Sequence, residues 1–147
     1  MMNKRRAFII GIKSTQLSQK EHNFLKKYKP WGVILFTRNI KNIEQAFKLT
    51  SSIRKIFNDE KYPILIDQEG GRVNRLKNII SFDNLTSEFF GKKYLKNIGE
   101  FKTYYKLFID KTSFLLRSIG VNINTSPVLD LRAKGSSNII GDRSFSK

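Results

Sequence analysis

The sequence of 147 residues contains no cysteine and a single histidine, His22. Disulfides, thiolate catalysis and Cys-type zinc sites are therefore excluded, and one imidazole cannot build a histidine zinc cluster. His22 falls in a predicted helix, where we expect a surface or packing residue. No apolar run approaches the ~20 residues of a transmembrane helix, so no membrane contact is expected. The basic first residues lack a signal peptide's apolar core and cleavage site, which favours a cytoplasmic protein.

Acidic residues are few, with 12 Asp and Glu against 28 Lys and Arg and a net charge of +16. An excess of this size can indicate a nucleic-acid-binding module, because phosphates are contacted by Lys and Arg. Here the lysines are spread over predicted helix faces, no nucleic-acid motif is present, and Ile and Asn are also very frequent, as AT-rich coding would produce without selection for binding. We therefore expect a solvated basic surface and no nucleic-acid partner, with the binding module kept as an alternative.

Short apolar runs alternate with amphipathic segments along the chain. The apolar runs predict buried strands at 7–12, 31–36, 62–66 and 121–124. The amphipathic segments predict helices over about 19–28, from near Asn42 to 57, and over 101–119. Alternating strands and helices are typical of parallel α/β folds. Length alone favours an open doubly wound sheet, because a complete (β/α)8 barrel needs ~250 residues.

Polar residues follow the predicted strands at the point where each strand ends. They lie at 37–39, 67–69 and 126–130. Barrels build their active sites at the carboxyl ends of strands, and open sheets bind ligands there too. Arg38 and Asn39 are expected either to border such a pocket or to serve a structural role. No glycine-rich nucleotide motif is present, which removes the usual support for a nucleotide site.

The segment 66–76, IDQEGGRVNRL, carries the densest set of candidate residues. Asp67 ends a predicted strand, and a carboxylate fixed there can accept hydrogen bonds from sugar hydroxyls. The glycines at 70–71 permit a sharp bend. Arg72 and Arg75 can pair with nearby acids or reach ligand oxygens. An ordinary strand-to-helix turn with a surface ion pair explains these residues equally well on physical grounds.

The chain contains four ordered motifs: GVILFTRN at 32–39, IDQEGGRVNRL at 66–76, SPVLDL at 126–131 and GDRSF at 141–145. Together they resemble the N-terminal half of glycoside hydrolase family 3, in its branch of bacterial, cytoplasmic β-N-acetylglucosaminidases (β-N-acetylhexosaminidases) of cell-wall recycling. The resemblance implies an α/β fold of about four βα units, the N-terminal half of a (β/α)8 TIM-type barrel. It also implies retaining hydrolysis of terminal β-linked N-acetylglucosamine from peptidoglycan-derived saccharides, with no cofactor and no metal.

The resemblance assigns roles to individual residues. Sugar binding is implied for three of them, Asp67, Arg75 and Arg143. Glu69 and Arg72 are expected to form a buried or half-buried pair that orders the turn. Asp130 is expected to organise its loop and not to act as a nucleophile.

The residues that perform the chemistry in this branch have no counterpart up to Lys147. The resemblance implies a nucleophilic aspartate late in the barrel and an acid/base histidine in a loop similar to Lys-His-Phe-Pro-Gly-His-Gly. We therefore expect residues 1–147 to be an incomplete, truncated portion of a catalytic barrel, inactive alone and completed by a C-terminal half. Two alternatives stay open: a β-glucosidase-type fragment of the same family, and a non-catalytic sugar-binding half barrel.

Overall fold

The computed structural model describes residues 5–133, 135 and 138–146, so Lys147, the last residue of the expected barrel portion, lies outside the described residues. Four strands are present: β1 (Arg6–Gly11), β2 (Pro30–Leu35), β3 (Ile64–Ile66) and β4 (Ile123–Asn124). Four α-helices accompany them: α1 (Gln19–Tyr28), α2 (Ile43–Phe57), α3 (Ser87–Lys96) and α4 (Ile98–Ser118). Short 3-10 turns lie at Thr37–Asn39 and Gly141–Arg143. None of the described helices is both long enough and apolar enough to cross a membrane.

The strands form one parallel sheet in the order β1-β2-β3-β4, which confirms the predicted α/β class. Neighbours in the sheet are also consecutive in the sequence, and each crossover contains at least one helix. Because all strands run in the same direction, their carboxyl ends meet at one edge. In the described part of the chain, three complete βα units are followed by a fourth strand without a helix after it.

The core lies between the sheet and its helices. In β2 and β3 the residues that point toward the helices are buried: Val33, Leu35, Ile64 and Ile66. Ile12, directly after β1, is buried as well. They pack against apolar side chains of α2, among them Ala46, Leu49 and Ile53. Strand side chains alternate between the two faces of a sheet, and the row on the opposite face is apolar but less covered. Ile9 in that row is 46% exposed, and Ile34 and Ile123 are half-buried. Leu65, which lies between Ile34 and Ile123, is the buried member of the row, at 4% exposure.

Strand β1 differs from the prediction of a buried strand. Its residues are exposed or half-buried, and Phe8 and Ile9 are 36% and 46% exposed. The prediction was wrong because β1 lies at an edge of the sheet and pairs, among the described strands, only with β2. The apolar run predicts that a strand forms, but it does not show which elements of the fold pack against that strand.

Capping residues set the starts of the helices. Ser18 accepts a hydrogen bond from the Glu21 amide, and the Glu21 carboxylate accepts one from the Ser18 amide, which confirms the predicted capping box of α1. Asn42 caps α2, which confirms the predicted start of this helix near Asn42. Helix α3 was not predicted; Thr86 begins it by accepting a hydrogen bond from the Phe89 amide at 3.0 Å.

Candidate functional site

Asp67 and Arg75 form a bidentate ion pair at the carboxyl end of β3. Arg75 donates from Nε to Asp67 Oδ1 at 2.9 Å and from Nη2 to Oδ2 at 2.7 Å. Such paired contacts fix the guanidinium and the carboxylate in one plane. The hydrogen bond with Asp67 holds the pKa of Arg75 above its ordinary value, so the guanidinium stays charged. The two side chains are 26% and 28% exposed, which leaves the pair accessible to a ligand.

An aromatic ring from the end of β2 lies beside this pair. The guanidinium carbons of Arg75 and Arg38 lie 5.5 Å and 4.5 Å from the ring centroid of Phe36, within the range of cation–π contact. Arg38 also donates from Nε to the Ile12 carbonyl at 3.0 Å. Asn39 is completely buried and donates to the same carbonyl at 3.1 Å, so its role is structural. Arg38 borders the pair.

The two glycines between Asp67 and Arg75 in the chain make the expected bend. Gly70 and Gly71 have φ values of +97° and +54°, a region that favours glycine. A Cβ on Gly71 would lie 2.6 Å from Thr86 Cγ2, and one on Gly70 would overlap the carbonyl oxygen of Leu85. The bend therefore permits the segment before α3 to approach the strand end closely.

Arg143 reaches the bend from the 3-10 turn near the end of the chain. It donates to Glu69 from Nε and Nη2, both at 2.8 Å, in a second bidentate pair. The Glu69 side chain is only 6% exposed, against 24% for Arg143. The hydrogen bond with Glu69 holds the pKa of Arg143 above its ordinary value. A direct contact between Arg143 and a sugar stays a prediction.

Arg72 contacts the loop that carries Arg143 and does not pair with Glu69. Its Nε donates to Asp142 Oδ1 at 2.9 Å, and its Nη2 donates to the carbonyls of Ile140 and Asn138 at 2.9 Å and 3.1 Å. The predicted pairing of Glu69 with Arg72 was therefore wrong. The two glycines between them redirect the chain, so the two side chains reach different atoms of the same loop.

Asp130 and His22 take no direct part in these pairs. Asp130 is exposed and makes no hydrogen bond or ion pair with another described residue, so its loop-organising role stays a prediction. Its charge contributes to the raised pKa of Arg143 after the larger contribution of Glu69. His22 is half-buried in α1 and lines a groove with Leu49 of α2.

Two amide side chains support the site, and sequence analysis assigned no role to either. Gln68 accepts at Oε1 from the amides of Arg75 and Leu76, at 2.8 Å and 3.1 Å. Asn124 accepts from the Gln68 amide at 2.9 Å and donates to the Gln68 carbonyl at 3.1 Å. The available signal was the presence of asparagine in a short predicted strand, where its intrinsic propensity is low.

The site offers no arrangement for a metal ion. Over residues 5–133, 135 and 138–146, no three His, Asp or Glu side chains come together as ligands. What the carboxyl end of β3 provides is a pair of carboxylates and a pair of guanidiniums, in which each carboxylate is bound by one guanidinium. Carboxylates accept and guanidiniums donate, so a neutral ligand with hydroxyl groups can satisfy both.

A family model described as the glycosyl hydrolase family 3 N-terminal domain matches residues 6–147. The chain belongs to glycoside hydrolase family 3. Curated relatives in this family include a beta-hexosaminidase of Thioalkalivibrio sulfidiphilus, 33% identical over 138 residues. That match covers 93% of this chain and 39% of the relative. A beta-hexosaminidase of Xanthomonas axonopodis pv. citri is 34% identical over 141 residues, which is 94% of this chain and 40% of the relative. The chain thus spans about two fifths of these relatives.

Solved structures of family 3 proteins share the fold. NagZ from Neisseria gonorrhoeae, in complex with N-trifluoroacetyl-D-glucosamine, matches with a TM-score of 0.82 and 29% identity, over 97% of this chain and 42% of that one. A family 3 beta-N-acetylglucosaminidase from Paenibacillus sp. str. FPU-7 matches with a TM-score of 0.72 and 27% identity, over 93% and 25%. These likenesses confirm the fold prediction of an N-terminal half of a TIM-type barrel.

Within a family 3 barrel, the carboxyl end of β3 lies on the face where active sites are built. The Asp67–Arg75 pair is at this end and is the more exposed of the two pairs. The buried Glu69 and its partner Arg143 lie beside it and order the bend. The structure therefore covers only the Glu69 carboxylate, and it leaves the side chains of Asp67, Arg75 and Arg143 each about a quarter exposed.

Proposed function

We propose that this family 3 chain forms the sugar-binding part of a retaining β-N-acetylhexosaminidase. The substrate is a peptidoglycan-derived saccharide with a terminal β-linked N-acetylglucosamine, and the protein acts in the cytoplasm. The observation that carries the proposal is the accessible, bidentate Asp67–Arg75 pair at the end of β3. The solved complex of NagZ with N-trifluoroacetyl-D-glucosamine supports the class of ligand.

The pair is suited to hold a sugar hydroxyl. A hydroxyl group donates one hydrogen bond and accepts others, so it can donate to Asp67 and accept from Arg75 at the same time. The remaining guanidinium N–H groups of Arg75 have no acceptor among the described residues. Each charge-assisted hydrogen bond of this kind contributes about 1.5–3 kcal/mol. Phe36 beside the pair holds the Arg75 guanidinium by a cation–π contact.

Hydrolysis requires groups beyond those of this site. Retaining glycosidases use a nucleophile and a separate acid/base group, and we assign neither role to a described residue. The apolar row of Ile9, Ile34 and Ile123 on the open face of the sheet supports a barrel that is closed by further strands, because closure buries such a row. We therefore propose that residues 1–147 act as the N-terminal portion of a catalytic barrel.

The test is an assay of substrate preference on the protein expressed from its complete reading frame. We expect hydrolysis of 4-nitrophenyl N-acetyl-β-D-glucosaminide to exceed that of 4-nitrophenyl β-D-glucoside by at least about tenfold in kcat/KM. A preference for the glucoside would assign the protein to the β-glucosidase type. Binding of N-acetylglucosamine without hydrolysis of either compound would indicate the non-catalytic sugar-binding alternative. Absence of both binding and hydrolysis contradicts the proposal.

A further inference from the structure

Strand β4 is held to β3 by backbone hydrogen bonds, which include those from the Asn122 and Thr125 amides to the Ile64 and Ile66 carbonyls, and by side chains. It has two residues, and its ladder with β3 consists of the pairs Leu65–Ile123 and Ile66–Asn124. A ladder this short supplies few backbone hydrogen bonds. Asn122 and Asn124 flank Ile123, and their amide side chains extend the connection past both ends of the ladder.

The two asparagines contact opposite ends of β3. Asn122 accepts from the Ile64 amide at 2.8 Å and donates to the Tyr62 carbonyl at 3.1 Å, so it holds the start of the strand. Asn124 makes the same two kinds of contact with Gln68, accepting from its amide at 2.9 Å and donating to its carbonyl at 3.1 Å. Asn122 and Asn124 thus make the same kinds of hydrogen bond to the main chain, one at the start of β3 and the other just after its end.

Only the second asparagine is connected to the ion pair of the site. Gln68 is 1% exposed, and its Oε1 accepts from the Arg75 amide at 2.8 Å. Asp67 immediately precedes Gln68 in the chain. Asn124 therefore fixes the main chain beside Asp67, and the Gln68 side chain fixes the main chain of Arg75. No described hydrogen bond links Asn122 to either member of the pair.

We propose that Gln68 and Asn124 are positioning residues for the sugar-binding pair. They hold the main chain on both sides of the pair, so that the Asp67 carboxylate and the Arg75 guanidinium present their remaining acceptors and donors to one hydroxyl. Positional errors at a binding constellation lose affinity even when the contacting groups are intact. The identity of the ligand as a sugar rests on the proposed function. The positioning of the Asp67–Arg75 pair by Gln68 and Asn124 does not.

The experiment compares Asn124→Leu with Asn122→Leu in the protein expressed from its complete reading frame. Leucine has nearly the shape of asparagine and removes the two hydrogen bonds of the Asn124 side chain or the three of the Asn122 side chain, of which the third, to the Lys61 carbonyl, is long at 3.3 Å. Three quantities are measured: the thermal midpoint, the dissociation constant for N-acetyl-D-glucosamine, and hydrogen exchange of the Arg75 Nε–H in ¹H–¹⁵N spectra. We expect similar losses of stability in the two variants. Only Asn124→Leu weakens sugar binding, by at least about tenfold, and speeds exchange of the Arg75 Nε–H.

Equal effects of the two variants on the Arg75 signal, or no effect of Asn124→Leu on it, would overturn the inference. If the unsubstituted protein binds no N-acetyl-D-glucosamine, the proposed function fails, and the Arg75 signal still decides whether Asn124 positions the pair. If Asn124→Leu does not fold, Asn124→Asp replaces it, with Asn122→Asp as its control. Aspartate keeps the acceptor for the Gln68 amide and loses the donor to the Gln68 carbonyl. We expect Asn124→Asp to speed exchange of the Arg75 Nε–H less than Asn124→Leu would, and Asn122→Asp to leave it unchanged.

Discussion

Two arginine–carboxylate pairs lie at the end of one strand, and their burial separates their roles. Glu69 is almost completely covered, whereas Asp67 is 28% exposed. A buried carboxylate without a partner is strongly destabilising, so Arg143 is required where it lies. The Asp67–Arg75 pair is partly exposed to solvent, so a ligand can replace some of the water that contacts it.

The Glu69–Arg143 pair is expected to stabilise the fold. Glu69→Gln removes the charge that Arg143 binds and leaves a weaker acceptor, which should lower the free energy of unfolding by about 1–3 kcal/mol. Urea unfolding of the protein expressed from its complete reading frame measures this loss. Glu88→Gln is the matched control, because Glu88 is 30% exposed and its ion pairs with Lys92 and Arg132 are long, at 3.4 Å and 3.6 Å.

For the Glu88 variant we expect a change within about 0.5 kcal/mol, as is usual for surface ion pairs. Equal losses in the two variants would show that the Glu69–Arg143 contact contributes no more than a surface pair does.

Sequence patterns identified the charged residues at the end of β3 but not all of their partners. The motif at 66–76 placed Asp67 and Arg75 together, and the structure brings them into direct contact. It could not show that Glu69 binds Arg143, because the partner lies 74 positions away in the chain. Nor could it show the direction of Arg72, which depends on two positive φ values in the glycine bend.

At the scale of elements, the helix that sequence analysis missed anchors the Arg143 loop. Helix α3 is only 10 residues long and has Gly91 near its middle, where glycine disfavours a helix. The glycine is explained by tertiary packing, because the backbone of Phe145 lies against it. Phe145 also contacts Tyr105 of α4, with ring centroids 5.9 Å apart. Local propensity argued against α3, and a contact between distant segments overrode it.

Gly91→Ala is expected to displace the segment that follows Arg143. A Cβ at this position would overlap the carbonyl oxygen of Phe145, and a main-chain atom cannot move away as a flexible side chain would. We expect a loss of about 1–3 kcal/mol in stability, typical of overpacking. Tryptic cleavage after Arg143 should become faster, and both quantities can be measured on the same preparation.

Gly99→Ala provides the control for this substitution. Gly99 lies in the first turn of α4, and a Cβ there would meet only Asn97 Oδ1, at 3.3 Å. Alanine in a helix is favoured over glycine by about 0.5–1 kcal/mol, so this variant should be as stable as the original protein or more stable. A Gly91→Ala protein with unchanged stability and unchanged cleavage would contradict the packing argument.

At the scale of the whole molecule, the sheet has one covered face and one open face. Helix capping and apolar runs were sufficient to predict the order of the four strands and of helices α1, α2 and α4, because these signals are local. The exposure of β1 was not predictable from them, since the burial of a strand depends on whether it lies at an edge of the sheet or between two other strands. The apolar open row and the free edge together indicate a surface that needs a partner.

The 147-residue chain purified alone should therefore self-associate or pack loosely. Sedimentation equilibrium should give an average mass above 17.1 kDa that rises with concentration, or else the chain should bind the dye ANS, as loosely packed states do. Added salt should strengthen association, because it screens the repulsion of a net charge of +16. A monomer that melts cooperatively and binds no dye would show that the open face needs no cover.

The most direct test of the account is a calorimetric titration of N-acetyl-D-glucosamine into three proteins, each expressed from its complete reading frame. They are the unsubstituted protein, Asp67→Ala and Asp59→Ala. Asp59 is the matched control because it also pairs with an arginine, Arg5, and is 30% exposed, but it precedes β3 instead of following it.

We expect Asp67→Ala to weaken binding by about thirtyfold or more, the equivalent of one charge-assisted hydrogen bond of about 2 kcal/mol. Asp59→Ala should bind within about twofold of the unsubstituted protein, as expected for a surface pair distant from the ligand. Equal affinities of the two variants for the sugar would contradict the claim that the Asp67–Arg75 pair is its binding site.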